Sequence, residues 1–420
     1  MTIGPDLLHL HMRRRSSVPD SKSTKKPYSK LDKLAQSRTI MDNFRKLPAS
    51  MQNVLKRTVF CIILLGYFVF VIYGGPITIL LTTLAAQVKC FYEIIAIAYK
   101  KHDISTIPNF KYIANYFLVS ANIYFGGETI IEYFGPFINL VDTLNTLATY
   151  HRFFSFCFYF IGVMWFVLSL KKHHYRKQFS LLAWTHVILL VLVVQSYLIA
   201  KTIFQGMIWF IICITTITVN DIMAYICGRF FGRTPLISLS PKKTWEGFIG
   251  AGIFTILITC SLAYFLCGNE FLICPIEYRQ INYEIVKITQ CTPDDMFQLM
   301  DFPRFGVQMY PFVIHAFWFS VFGSLVAPFG GFFASGFKRA FKVKDFGDTI
   351  PGHGGIMDRF DCQLVMITFV NVYITSFVGG NSANRSTQDI FHRILTLRPE
   401  DQLELYYMLK GSLVSNGIRL

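Results

Sequence analysis

Long uncharged apolar blocks alternate with short basic loops along most of this chain. The first block runs from Thr58 to Val88 without a charged side chain, and about 20 such residues suffice to cross a bilayer. The pattern predicts spans at roughly 58–73, 76–98, 112–134, 153–170, 179–200, 203–228, 247–267, 309–335 and 362–380. Gly74-Gly75-Pro76 divides the first block, because proline lacks an amide hydrogen and glycine permits a sharp turn. Lys89 and Glu93 lie inside the second span, and Glu128 and Glu132 inside the third, so those borders are soft. The expectation is an all-α polytopic membrane protein with about nine transmembrane helices; eight or ten also fit the pattern.

Composition supports this reading. Hydrophobic residues make up 53% of the 420 and charged residues 15%, where a soluble domain carries about 25% charged. Residues 1–57 hold 13 Lys and Arg against 4 Asp and are expected to form a basic, disordered cytosolic arm. Binding of anionic lipid headgroups and a plain topology signal both fit that arm. Residues 58–380 are then the transmembrane catalytic domain and 381–420 a C-terminal segment. Basic loops at Lys171–Lys177, Arg229–Lys243 and Lys338–Arg359 fall on the arm's side when nine spans are threaded, and the positive-inside rule makes that side cytosolic. The loop 268–308 falls on the other side. Cys274 and Cys291 share it and would pair if it is lumenal. The ten cysteines show no zinc-site spacing.

Chemistry concentrates between Ser335 and Asp361, where 27 residues hold five Lys or Arg, four Asp and five Gly. Carboxylates are hard ligands suited to Mg²⁺, Lys and Arg neutralise phosphate oxygens, and glycines let the backbone approach a ligand. Asp358 and Asp361 are three residues apart at the start of a predicted helix, hence on one face and near its positive dipole end. Asp345 is a third candidate ligand. His353, in Pro-Gly-His-Gly-Gly, either touches phosphate or holds the loop. A second concentration lies at 220–247. Asp221 is a carboxylate in an apolar span, which is by default a functional hypothesis; at 1.5 Å per residue it sits about 12 Å inward from Arg229. Ser240-Pro241 reads as an N-cap with proline at the first helical position, placing Lys242 and Lys243 where a phosphate could bind. Gly247, Gly250 and Gly252 read as a close packing face.

Taken together, these residues resemble the signature of the phosphatidate cytidylyltransferases (CDP-diacylglycerol synthases). Ser335, Lys338, Arg339, Lys344, Asp345, His353, Gly354, Gly355, Asp358, Arg359 and Asp361 fill its positions. Asn220-Asp221-Ile-Met-Ala-Tyr225 and Ser240–Gly247 resemble its eukaryotic branch, over roughly residues 56–415. The resemblance implies transfer of CMP from CTP to phosphatidic acid, a divalent-metal site, a homodimer, no nucleic-acid partner, and residence among the lipids of the endoplasmic reticulum membrane with the site facing the cytosol. On this reading Asp345, Asp358, Asp361 and Asp221 hold Mg²⁺, possible second cation included. Asp345, Asp358, Asp361, Lys344, Arg359 and His353 form the catalytic group. Lys338, Arg339, Lys242, Lys243, Ser335, Gly354 and Gly355 hold phosphate. Two rivals stay open at this point: a CTP-dependent lipid alcohol kinase, and an ion-coupled transporter using Asp221 and Glu128.

Overall fold

The computed structural model describes residues 49–102, 109–138, 141–240, 243–275, 277–281, 284–288, 291, 293–302, 306–350, 354–378, 394 and 399–415. The chain divides into two units, Met1–Val59 and Phe60–Leu420. Most of the basic arm and most of 379–398 lie outside the described residues. The helices in order are α1 (Ala49–Tyr73), α2 (Gly75–His102), α3 (Phe110–Ile138), the short α4 (Asp142–Thr149), α5 (His151–Leu168), α6 (Tyr175–Gln205), α7 (Met207–Phe231) and α8 (Trp245–Leu266). A loop region follows with a short helix α9 (Glu270–Ile273) and two antiparallel strand pairs: β1 (Glu277–Ile281) with β2 (Glu284–Ile288), and β3 (Met300–Phe302) with β4 (Val307–Met309). Then come α10 (Phe312–Leu325), α11 (Pro328–Ala340), α12 (Met357–Tyr373), a π-helical turn Ile374–Val378, and α13 (Pro399–Ser415).

Each predicted span has a helical counterpart. Seven described helical segments are long and apolar enough to cross a membrane: 75–101, 151–168, 175–205, 207–231, 245–266, 312–340 and 357–378. The chain is thus an all-α polytopic membrane protein. The predicted spans at 58–73 and 112–134 coincide with α1 and α3, which are not among those seven. The span at 309–335 is in fact two helices, because the chain turns at Val326–Ala327 and Pro328 opens α11, a position where its missing N–H costs nothing.

Two apolar clusters anchor the bundle. One gathers Ile203 to Ile217 around α7 with Phe312, Phe319 and Met366. The other joins Phe91 and Ile95 of α2, Phe117 of α3 and Leu189 of α6 to Phe346 and Met357, so the loop between α11 and α12 is tied to the N-terminal helices. Helices α7 and α8 approach closely: a Cβ on Gly247 would lie 2.9 Å from both the Ala224 carbonyl oxygen and Gly228 Cα. Gly250 is similarly tight against Cys227, whereas Gly252 has only an ordinary contact with Ser324. The expected face is therefore Gly247 and Gly250.

Helix α8 starts later than Ser240 suggested. Thr244 is the N-cap, its hydroxyl accepting from Gly247 N at 3.2 Å. The segment before it is held as a short pairing, with Leu236 N donating to Lys243 O and Trp245 N to Thr234 O. Lys243 thus precedes the helix rather than sitting in its first turn, and Lys242 lies outside the described residues.

Cys274 and Cys291 form a disulfide. The loop carrying it packs on the start of α7, where Trp209 meets Phe297 and Phe312. Asp221 lies twelve residues further along α7, about 18 Å away, so the bridge and the carboxylate are well separated along the helix. Without reductant, both thiols are expected to resist maleimide in the denatured protein and to react after reduction. Removing the bridge, in Cys274→Ser with Cys291→Ser, should cost about 3 kcal/mol for a loop of this size, read as a lower thermal midpoint. Labelling of both thiols before reduction would contradict the pairing.

Candidate active site

The site begins where α11 ends. Lys342 adopts a left-handed backbone (φ 54°), Val343 N donates to Lys338 O and Lys342 N to Arg339 O, the hydrogen-bond pattern of a Schellman turn. This reversal carries Lys344 and Asp345 back past the last turn of α11. Phe346 is buried and stacks on Phe337 with centroids 5.4 Å apart, which fixes the following loop.

Two carboxylates then shape that loop. Asp358, the second residue of α12, uses both oxygens: Oδ1 pairs with Lys338 Nζ at 2.6 Å, and Oδ2 accepts from Phe346 N at 2.9 Å and Gly355 N at 3.0 Å. The Lys338 and Asp358 side chains are 17% and 7% exposed, so the pair is largely out of water and depends on these extra hydrogen bonds. The second carboxylate is Glu93, from the middle of α2. It accepts from Thr349 Oγ1 at 2.5 Å, Ile356 N at 3.0 Å and Met357 N at 3.0 Å. Glu93 thus satisfies backbone donors at the start of α12, where an anion is favoured. Glycines are required beneath it: a Cβ on Gly355 would lie 2.8 Å from Gly347 N and 2.9 Å from Glu93 Cδ. Gly354 has φ +81°, and a Cβ there would lie 3.3 Å from Asp358 Oδ2 and 3.4 Å from Asp345 Cγ. Asp345 and Asp358 therefore flank one point on the loop.

A third group converges from α7. Asp221 is exposed and lies within electrostatic range of Lys243 and Arg359. Asp361, one turn beyond Asp358, lies within such range of Asp221 and Lys338 and packs against Gly330 and Gly331 of α11. Its Oδ1 accepts from Cys362 N at 2.7 Å. Lys243 Nζ sits 4.9 Å from the centre of the Phe332 ring, which brings the α7–α8 connection onto α11.

Of the residues singled out in the sequence, the structure gathers Lys338, Asp345, Gly354, Gly355 and Asp358 in one network, and Asp221, Lys243, Arg359 and Asp361 beside it. Arg339, Lys344 and Arg359 are exposed. Three of these groups have partners within the protein. Lys338 is already neutralised by Asp358, Asp358 is spent on the loop and Lys338, and the Ser335 hydroxyl donates to Gly331 O within its own helix at 2.8 Å. These groups build the site's frame in this structure. His353 and Lys242 lie outside the described residues. Glu93 was missed, although a charge inside an apolar block is the same signal that marked Asp221.

Among the described residues no three His, Cys, Asp or Glu side chains form a ready-made metal cluster. The like charges at Asp221 and Asp361 nonetheless suit a hard cation, because Mg²⁺ is ordinarily held by one or two carboxylates, waters and substrate phosphates.

The model of the Cytidylyltransferase family matches residues 55–377. The chain belongs to that family. Human Phosphatidate cytidylyltransferase 1 is 47% identical over 382 residues, covering 89% of this chain and 82% of that one. Human Phosphatidate cytidylyltransferase 2 is 46% identical over the same length, covering 89% and 84%, and Phosphatidate cytidylyltransferase of Caenorhabditis elegans is 44% identical over 386 residues, covering 89% and 81%. The match takes in every element of the site, from Glu93 to Asp361. This family member is a CTP-using nucleotidyltransferase.

Glu93→Gln replaces an acceptor with an amide donor facing backbone N–H groups. Turnover is expected to fall about ten- to a hundredfold, the cost of one charge-assisted hydrogen bond at about 1.5–3 kcal/mol, with membrane insertion retained. Wild-type turnover in Glu93→Gln would mean the loop is held without it.

Proposed function

We propose that the protein transfers CMP from CTP to phosphatidic acid, giving CDP-diacylglycerol and pyrophosphate for phospholipid biosynthesis. The observation that carries this reading is the convergence of Asp221 and Asp361 with Lys243 and Arg359, next to the loop that carries Lys344 and Asp345. The reacting groups are both polyanions. A phosphate oxygen of the lipid attacks the α-phosphorus of CTP, forming a new P–O bond while the bond to the β-phosphate breaks and pyrophosphate leaves. The lipid phosphate is already ionised near neutral pH, so no strong base is needed, and charge neutralisation is what the site must provide.

Lys344, Arg339, Arg359 and Lys243 are the cations we assign to phosphate oxygens. Lys338 and Asp358 position the loop that presents Asp345, and Glu93 holds that loop to α2. Asp221, Asp345 and Asp361 would hold Mg²⁺, which when bound supplies Lewis-acid polarisation of the phosphate. CTP is a cytosolic nucleotide, and the disulfide at the far end of α7 suits an oxidising lumen. We therefore assign the site to the cytosolic face of the endoplasmic reticulum membrane. A homodimer is proposed on the family resemblance alone.

Purified protein with phosphatidic acid, Mg²⁺ and labelled CTP tests the reaction. Label at the α-phosphate is expected in the lipid product, and label at the γ-phosphate only in pyrophosphate. Entry of γ-label into lipid would instead mean a kinase. Asp361→Asn is expected to abolish turnover while the protein inserts and purifies normally; near wild-type activity would remove Asp361 from the metal site. Lys344→Ala should cost more than Lys342→Ala, and the reverse order would discredit the phosphate assignments.

A further inference from the structure

Asp361 shares its helix face with an apolar stripe. Leu364, Val365, Thr368, Phe369 and Val372 follow at the spacing that places side chains on one side of a helix. Together with Gln195 of α6 and Phe322 of α10 they line an open groove of about 480 Å³. One wall is the Phe322–Phe369 stack, with centroids 3.7 Å apart. The opposite wall is Gln195, whose Nε2 donates to Thr368 Oγ1 at 2.7 Å.

The groove begins on the Asp361 face of α12, about one turn beyond that residue. A Cβ on Gly330 would lie 3.0 Å from Val365 Cγ2 and closer still to the Asp361 carbonyl oxygen, so one glycine of α11 borders both. Its length also fits. Val372 lies eleven residues beyond Asp361, about 16 Å along the helix, and half the hydrocarbon core of a bilayer is about 15 Å. A lipid whose phosphate reaches Asp361 must send its chains from that point towards the bilayer midplane, which is the course the groove takes.

We propose that this groove receives one acyl chain of the lipid substrate, from its glycerol end beside Val365 to its distal end beside Val372. Its depth then sets the preference for chain length. The proposal rests on the cytidylyltransferase reading of the site. Thr368 and Val372 are specificity determinants on this view, and neither touches the reacting phosphates.

The test compares dioctanoyl and dioleoyl phosphatidic acid as substrates of the full-length protein in mixed micelles. Val372→Trp should lower kcat/KM for the long-chain lipid about tenfold or more, a loss equivalent to about two buried methylenes, and change the short-chain value less than about threefold. KM for CTP should not move. Thr368→Trp blocks the groove nearer Asp361 and should reduce both lipids. Leu190→Trp, at a 67% exposed position of α6 outside the groove, should leave the ratio unchanged. Val372→Phe provides the same comparison where the tryptophan variant fails to fold. An unchanged long-to-short ratio in the Val372 variants, or an equal shift in Leu190→Trp, overturns the groove proposal. Absence of any liponucleotide from the wild-type protein would instead overturn the reading of the site.

Discussion

A carboxylate inside an apolar bundle is costly unless its oxygens are supplied with donors, and this protein meets that demand with the backbone of a single loop. Glu93 takes the N–H groups of Ile356 and Met357, and Asp358 takes those of Phe346 and Gly355. The carboxylates need the loop to stay ionised at low cost, and the loop needs them because its glycine-rich backbone has few partners of its own. Their mutual satisfaction fixes where α12 begins, where Asp345 points, and how Asp361 approaches Asp221. Removing either acid would leave several buried donors without partners at once.

That arrangement separates two tasks carried by the same residue types. Glu93, Asp358 and Lys338 form a neutralised frame, since their charges and hydrogen bonds are spent within the protein. Asp221, Asp345 and Asp361, with the exposed Lys344, Arg339 and Arg359, are the groups we assign to the reaction itself. A site built this way gains rigidity from charges paired within the protein. The groove on the Asp361 face of α12 extends the same logic into the bilayer, with apolar surface in place of charge.

Much of this was legible in the sequence. Uncharged blocks gave the helices, and the Asp and Lys density between Ser335 and Asp361 pointed to the loop that the structure gathers around Asp358. The turn at Gly74 and the pairing of Cys274 with Cys291 also followed from local chemistry. Partners distant in the chain were not legible. Glu93 bonds Thr349 across 256 residues, and spacing within one helix says nothing about which loop another helix will meet. Lys338 and Arg339 are neighbours in sequence, yet one is half-buried against Asp358 and the other exposed, because successive residues on a helix point about 100° apart. The cap of α8 was misplaced at Ser240 because Ser-Pro is a strong local signal; the pairing of residues 234–236 with 243–245 outweighs it. The break between α10 and α11 was hidden because both halves are apolar.

In the reaction we propose, carboxylates at one mouth of the bundle gather a divalent cation so that two mutually repelling phosphates can react. The most direct test is liponucleotide formation by the purified protein after thorough chelation, followed by titration with Mg²⁺ or Mn²⁺. The chelated protein is expected to show no turnover, and either ion to restore it fully. Undiminished turnover without any divalent cation would contradict this.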